Sequence, residues 1–284
     1  KNTTERLEHH EEAPSLKECL HLLATNRPLL MLFLGNIFFV IIKVSEQASF
    51  YFAYDALFNA KYNGFLDIAK APGSFLAGIF VPIIIERLGR KADSKKFYQV
   101  CCVMGIVLNG LFALCTYNGI MNKGAGQSVS LLTGLMVIVF SAVVTFPLEF
   151  KNLMQKEMEA ETVDYVEWKT GKRVEGTMLS IMSFTGKLEG TLSSFICLQV
   201  LARTGYVEHT TDVSTLQNHS TLLGLFLMTT VFPMVGYALM LIPMHFYNIT
   251  GDSHRRMIKD IMARRAQAGE AAAQEAVAAE AKEG

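Results

Sequence analysis

A single lysine, Lys187, lies near the middle of a long apolar segment. Hydroxyl residues flank it at helical spacing: Ser180, Ser183, Thr191 and Ser194 share its face of a helix. A charge at membrane depth is energetically costly and is usually functional. We therefore expect Lys187 and Ser183 to line a water-filled cavity. The alternative is a stripe buried against another helix.

Two more ionisable residues, Lys43 and Glu46, lie within an earlier apolar segment. Their spacing of three residues places them on one helix face, where they can form an ion pair. They either line a transport path or form an internal pair that orients helices. Near Lys187, Glu189 points away from the stripe, and the sequence offers no role for it. Gly186 and Gly190 form a GxxxG on the adjoining flank, which permits close helix approach.

The segment Glu159–Glu175 concentrates acids and bases between two apolar segments. Such a loop can form an interlocking charge network that closes an inner gate, although a solvated loop is the alternative. The aromatic residues Tyr165 and Trp168 within it favour packing.

The elements that must position these residues are membrane helices. The chain of 284 residues is 51% hydrophobic and only 18% charged, whereas soluble domains carry about 25% charged residues. A membrane helix needs about 20 mostly apolar residues. Six segments qualify: Pro28–Leu57, Phe65–Ile85, Phe97–Tyr117, Val129–Phe150, Gly176–Ala202 and Thr221–Tyr247. We predict an all-α membrane protein with six transmembrane helices over residues 28–250, preceded by a segment 1–27 and followed by a tail 251–284.

The basic residues are distributed unevenly between alternate ends of these segments. The connections that face the same side as the termini hold most of them, whereas the other connections hold only Lys61, Lys123 and Arg203. The positive-inside rule then predicts that both termini are cytoplasmic, in an integral protein of the plasma (inner) membrane. The inner set is Arg6, Lys17, Arg27, Arg87, Arg90, Lys91, Lys95, Lys96, Lys151, Lys156, Lys169, Lys172, Arg173, Arg255, Arg256, Lys259, Arg264 and Arg265.

The tail begins with Asp252 and Ser253, which are suited to cap a helix over His254–Ala268. An Ala/Glu-rich stretch, Gly269–Gly284, follows, and we expect it to be frayed.

Several classes of function are disfavoured. The formal net charge is zero, which argues against nucleic acid as a partner. GxSxG, HExxH and ligand-like Cys/His spacings are absent from the sequence, so we expect neither an enzyme nor a metal site or cofactor.

The run ETVDYVEWKTGKRVEGTMLSIMSFTGK resembles the signature of the glycoside–pentoside–hexuronide cation symporters, the melibiose permease-like branch of the major facilitator superfamily. Pro14–Lys17 and Asn26–Leu30 resemble the family's central loop leading into helix seven. Arg87–Lys91 resembles the basic turn that the superfamily repeats between the second and third helices of each half, and the likeness extends over residues 14–265. The matching signature positions are Glu161, Asp164, Tyr165, Glu167, Lys169, Arg173, Glu175 and Lys187.

The resemblance implies the C-terminal half of a major facilitator fold. It implies sugar transport by alternating access, coupled to H⁺, Na⁺ or Li⁺, with the lipid bilayer and a missing N-terminal six-helix half as partners. Lys187 would then serve coupling, and the other signature residues would form a cytoplasmic gate. The sequence departs from the family at Glu189, where a small residue is usual. A truncated or non-transporting scaffold is the main alternative, ahead of an integral-membrane enzyme.

Overall fold

A computed structural model of the chain describes residues 15–59, 61–88, 93–123, 126–171, 174–208 and 216–283. These residues form helices joined by short connections, and the all-α expectation is confirmed for them. The helices are α1 (Leu16–Thr25), α2 (Arg27–Tyr51, continued by a π-helical turn Phe52–Ala56), α3 (Lys61–Leu88), α4 (Ser94–Met121), α5 (Leu131–Thr170), α6 (Glu175–Thr204), α7 (His219–Phe246) and α8 (Gly251–Glu283).

Helices α2, α5 and α7 make most of the contacts in the bundle. Helix α2 packs along α7 and α6, while α5 packs against α3 and α4 and α8 lies on the end of α5. The closest α2–α7 approach depends on Gly236, because a Cβ there would lie 2.6 Å from Cγ1 of Ile42. A small residue at this crossing lets the two backbones approach.

Four helical stretches are long and apolar enough to cross a membrane, counted over the described residues. They are Arg27–Ala56, Ser94–Met121, Leu131–Thr170 and His219–Phe246. Each overlaps one of the predicted segments. Helices α3 and α6 have similar lengths but do not meet the same apolarity requirement, and α6 carries the charged residues Lys187 and Glu189. That α3 and α6 also cross the membrane, which would make six membrane helices, therefore stays a prediction.

The predicted loop that begins at Glu159 is wrong, and the helix that contains the fourth apolar segment does not end at Phe150. Helix α5 continues without interruption to Thr170. The sequence has no glycine or proline between Pro147 and Gly171, so nothing stops the helix. It ends at Gly171, whose φ of 71° lies in the left-handed region that glycine adopts without strain.

The tail forms one helix, α8, which begins at Gly251 and extends beyond the predicted boundary to Glu283. The predicted helix end at Ala268 is therefore wrong, in keeping with the high helix propensity of Ala and Glu. The cap also differs from the expected one. Thr250 and Ser253 bond reciprocally, with Thr250 N donating to Ser253 Oγ at 2.8 Å and Ser253 N donating to Thr250 Oγ1 at 3.4 Å.

Candidate functional site

The stripe around Lys187 lies on the surface of this chain. Ser180, Ser183, Lys187 and Thr191 are exposed, and Ser194 is half-buried. Burial of the stripe against another helix of the chain is thus excluded for the described residues. Three of its hydroxyls donate to carbonyls of α6 itself, as Thr191 Oγ1 does to Lys187 O at 3.0 Å. Their oxygens keep lone pairs that can accept hydrogen bonds.

The glycines beside the stripe make no close contact. A Cβ added at Gly186 or at Gly190 would meet no atom within 4 Å. Their GxxxG flank is open, so it does not serve a helix contact among the described residues.

Lys43 pairs with Glu189 across the α2–α6 interface, with 3.2 Å between Nζ and Oε2. The predicted pairing of Lys43 with Glu46 is therefore wrong. Glu46 is exposed and faces a cavity beside α3 and α5, whereas Glu189 is buried against α2. The side chain of Glu189 is 8% exposed and that of Lys43 is 27% exposed, so the pair is shielded from solvent. Glu189, which had no role in the sequence, is the counterion of Lys43.

Lys151 is the functional candidate that the sequence analysis missed. It is fully buried within α5, although its charge suggested a cytoplasmic loop. Its Nζ lies 3.7 Å from the centroid of the Phe39 ring and donates to Gln155 Oε1 at 3.2 Å. Lys43 Nζ lies 5.6 Å from the centroid of the same ring. The Phe39 ring thus contacts two ammonium groups, each favoured by the ring quadrupole.

Gln155 extends these contacts between helices α5 and α2. Its Nε2 donates to Asn36 Oδ1 at 2.7 Å and to Glu159 Oε1 at 3.1 Å. Hydrogen bonds and the ion pair therefore connect α2, α5 and α6 at one place in the bundle. We call the residues involved the buried polar cluster: Asn36, Phe39, Lys43, Lys151, Gln155 and Glu189.

A second group of polar contacts lies where α5 meets α4 and the start of α8. Glu161 is 9% exposed and accepts from Ser94 Oγ at 2.8 Å and from Tyr247 OH at 3.4 Å. Burial, with a smaller effect of the Glu161 carboxylate, raises the pKa of Tyr247 well above its usual value. Tyr247 therefore stays protonated and remains a hydrogen-bond donor at neutral pH.

Two further acids of α5 bind the tail helix directly. Asp164 Oδ2 lies 2.9 Å from Nε2 of His254. Glu167 Oε1 accepts from Arg265, whose Nε lies 3.1 Å away and whose Nη2 also contacts it. Charged side chains of the predicted loop are thus paired within this chain, and the solvated-loop interpretation is wrong.

The aromatic residues of this segment also contact α8. Trp168 Nε1 donates to Asp260 Oδ2 at 3.0 Å, and Arg264 Nη1 donates to Trp168 O at 2.8 Å. Tyr165 packs beside Trp168, with 6.3 Å between ring centroids. We call these α5–α8 contacts, with those of Asp164 and Glu167, the tail latch.

The remaining residues of the predicted gate lie beside the tail latch. Lys169 Nζ donates to Thr25 O at 3.3 Å and lies 5.9 Å from the Tyr165 ring centroid. Glu175 opens α6, where a carboxylate is favoured by the helix dipole. Arg173 lies outside the described residues.

Comparisons with known proteins agree with this all-helical architecture. Residues 1–251 match the sequence family described as MFS/sugar transport protein. An uncharacterized symporter of Bacillus subtilis (strain 168) is 25% identical, over 92% of this chain and 53% of that protein. A glucuronide carrier protein homolog of Escherichia coli (strain K12) is 24% identical, over 92% and 52%. An isoprimeverose transporter of Lactiplantibacillus pentosus is 24% identical, over 94% and 51%. The chain spans about half the length of these relatives.

Proposed function

We propose a function from one premise: the chain belongs to the MFS/sugar transport protein family. On this basis the chain forms the C-terminal six-helix half of a cation-coupled sugar symporter that works by alternating access. The coupling ion is H⁺, Na⁺ or Li⁺. The protein lies in the plasma membrane with both termini in the cytoplasm, and its α8 end faces inward.

The observation that supports this proposal is the exposed stripe around Lys187. Six-helix halves of such transporters enclose a substrate site between them, near the bilayer midplane. A polar stripe with a cation, exposed on the surface of one half, fits one wall of such a site. The hydroxyl oxygens of Ser183 and Thr191 can accept hydrogen bonds from a sugar, and Lys187 can donate them.

The buried polar cluster would keep the half rigid while it moves. Alternating access is largely a rocking of one half against the other around a fixed site. The Lys43–Glu189 pair joins α2 to α6, and the Gln155–Asn36 bond joins α2 to α5. We propose that these bonds keep the Lys187 stripe in register with α2 and α5.

The tail latch would set the position of the inner end of α5. Glu161, Asp164 and Glu167 are bonded to Ser94, His254 and Arg265 respectively. We propose that these contacts form the immobile side of a cytoplasmic gate, against which residues of the other half close.

The test is sugar uptake into proteoliposomes, with the complete protein compared with residues 1–284 alone. The complete protein is expected to take up labelled sugar in response to a Na⁺, Li⁺ or pH gradient, and this chain alone is expected not to. Robust uptake by this chain alone would overturn the half-transporter proposal. A complete protein that inserts in the membrane but carries no sugar would favour the scaffold alternative.

Lys187 is tested in the same assay. Lys187→Ala in the complete protein is expected to abolish uptake or to remove its ion dependence, because the stripe loses its only cation. Lys61→Ala, an exposed lysine at the start of α3, is the control and should leave uptake unchanged. Unchanged uptake and ion dependence in Lys187→Ala would remove Lys187 from the mechanism.

A further inference from the structure

A half-open cavity of about 270 Å³ lies between helices of the bundle, apart from the Lys187 stripe. It lies between α2, α3 and α5, with side chains of α4 and α7 behind it, and α6 contributes none of its lining. Its charged lining residues are Glu46, Lys70 and Glu149. Six hydroxyl side chains share the wall: Ser45, Ser49, Ser74, Ser141, Thr145 and Thr229.

Two carboxylates and three hydroxyls that already donate elsewhere give this cavity several free acceptors. Ser45, Thr145 and Thr229 donate their hydroxyl hydrogens to carbonyls of their own helices, at 2.7 to 3.0 Å. Their oxygens keep lone pairs, and the carboxylates of Glu46 and Glu149 accept only. A ligand that satisfies such a wall must bring several donors. A sugar ring, with a hydroxyl on most carbons, does so.

Apolar side chains complete the wall at one end. Phe52 and Phe112 are buried, at 2% and 4% exposure, and both line the cavity. They offer aromatic surface to the C–H groups of a sugar, while the polar groups take its hydroxyls. Phe52 also begins the π-helical turn, an irregularity that is frequent at functional sites.

Beside the cavity, helices α3 and α5 pack closely, and there is no room for a larger side chain between them. A Cβ at Gly73 would lie 3.1 Å from Ala142 O and 3.2 Å from Thr145 Cβ. The cavity is therefore bounded by backbones that a larger residue would push apart. Small-molecule sites in proteins have volumes from about 300 Å³ upward. The volume of this cavity is therefore close to the smallest of them. One ring fits better than two.

The charge of the lining selects among sugars. Two carboxylates and one ammonium group leave one negative charge in excess, and Lys70 shares its charge with Asp67 at 3.4 Å. A third carboxylate, brought by a sugar acid, would meet like charge, which disfavours it. We propose that this cavity binds a single neutral sugar ring, whose hydroxyls donate to Glu46 and Glu149. This inference rests on the proposed function, and it names the class of ligand and a site outside the Lys187 stripe.

Calorimetry on residues 1–284 in detergent tests the site directly, with glucose, xylose, glucuronate and NaCl as probes. A neutral sugar is expected to bind, and glucuronate to bind about tenfold more weakly or not at all. Glu149→Gln should weaken neutral-sugar binding about tenfold, because hydrogen bonds to a charged group are the stronger ones. Glu157→Gln makes the same change at an exposed position of α5 and should leave binding unchanged.

A labelling experiment keeps the proposal testable if Glu149→Gln fails to fold. Ser74→Cys is a conservative change in the cavity wall and can be made with Cys19→Ser and Cys115→Ser, since the other three cysteines are buried. Neutral sugar should slow the reaction of this cysteine with a methanethiosulfonate reagent. Glucuronate at the same concentration should not.

The outcomes separate this inference from the proposed function. If no sugar binds or protects Ser74→Cys, or if Na⁺ protects instead, the cavity is not a sugar site. If the complete protein carries sugar and Glu149→Gln does so normally, the symporter proposal stands and this inference falls. If this chain binds neutral sugar but the complete protein carries none, the site stands and the transport proposal falls.

Discussion

Glu189 is the residue that most changes the interpretation of the sequence. In the one-dimensional pattern it faced away from the polar stripe and had no partner, because Lys43 lies 146 positions earlier in the chain. Packing of α6 on α2 brings the two side chains together. Pattern analysis found both charges, but it paired Lys43 with the nearest acid in sequence, since spacing along one helix is the only distance that a sequence contains.

Removal of Glu189 should leave Lys43, which is 27% exposed, without its counterion. Glu189→Ala is expected to destabilise the purified chain, by less than the roughly 3–5 kcal/mol that breaking a fully buried pair costs. The double variant Lys43→Met with Glu189→Met should recover most of that loss, because a matched apolar pair needs no counterion. Thermal unfolding in detergent measures both. Equal melting temperatures for Glu189→Ala and the double variant would contradict the pairing.

Lys151 leads to the opposite expectation for stability. Its ammonium group is buried with a ring and an amide as its contacts, and apolar replacement of a buried charge is often neutral or stabilising. Lys151→Met should therefore keep or raise the melting temperature of the chain. If the buried polar cluster serves transport, the same variant should lower sugar uptake by the complete protein. Lys156→Met, at an exposed position five residues on, is the control for both measurements.

At the scale of elements, some glycines lie at close contacts between two helices of the chain, whereas others lie on open surfaces, and alanine substitution should affect stability differently at the two. Gly236→Ala is expected to cost about 1–3 kcal/mol, because its methyl group would overlap Ile42 at the α2–α7 crossing. Gly186→Ala and Gly190→Ala meet open space and should keep or slightly raise stability, since alanine favours a helix. Unfolding of the three variants of this chain tests the contrast.

If the second half of the transporter packs on this flank of α6, alanine at Gly186 or Gly190 should disturb that contact. Gly186→Ala in the complete protein would then lower uptake without destabilising residues 1–284. Normal uptake would indicate that the flank faces lipid.

The element boundaries show where sequence reasoning succeeds and where it stops. All six apolar segments coincide with helices, apart from Leu57, Val129, Ser130 and Tyr247 at their ends, because apolar length and the positions of glycine and proline are local properties. The charged end of α5 was assigned to a loop on composition, although its residues from Leu148 to Thr170 contain no helix breaker. Lys151 was misplaced for the same reason: a charge near a segment end was taken as a sign that the helix had ended.

At the scale of the whole molecule, α8 is an integral part of the bundle. Met257 and Ile261 are buried at 6% and 7% exposure, so the tail helix has an apolar face against the bundle as well as its polar contacts. The sequence indicated a helix here but not its contacts. The partner side chains lie about 90 positions apart, and the periodicity of a sequence reports only on residues that are close along the chain.

Trp168 makes the docking of α8 measurable, since it is the sole tryptophan of the sequence. Deletion of residues 251–284 should expose its indole, shifting emission to longer wavelength and increasing quenching by acrylamide. Deletion of residues 269–284 alone keeps Asp260, Arg264 and Arg265, and should leave emission unchanged. Identical spectra for the two truncations would show that Trp168 is not covered by α8.

The unbroken course of α5 gives it the mechanical character of a lever. At 1.5 Å per residue its 40 residues extend about 60 Å, roughly twice the apolar thickness of a bilayer. A pivot near Pro147 would leave an inner arm of about 35 Å, so a tilt of about 10° would displace the end at Thr170 by about 6 Å. A displacement of that size, comparable to one helical turn, would break every hydrogen bond between α5 and α8, so an intact tail latch requires α5 and α8 to move together as parts of one rigid half.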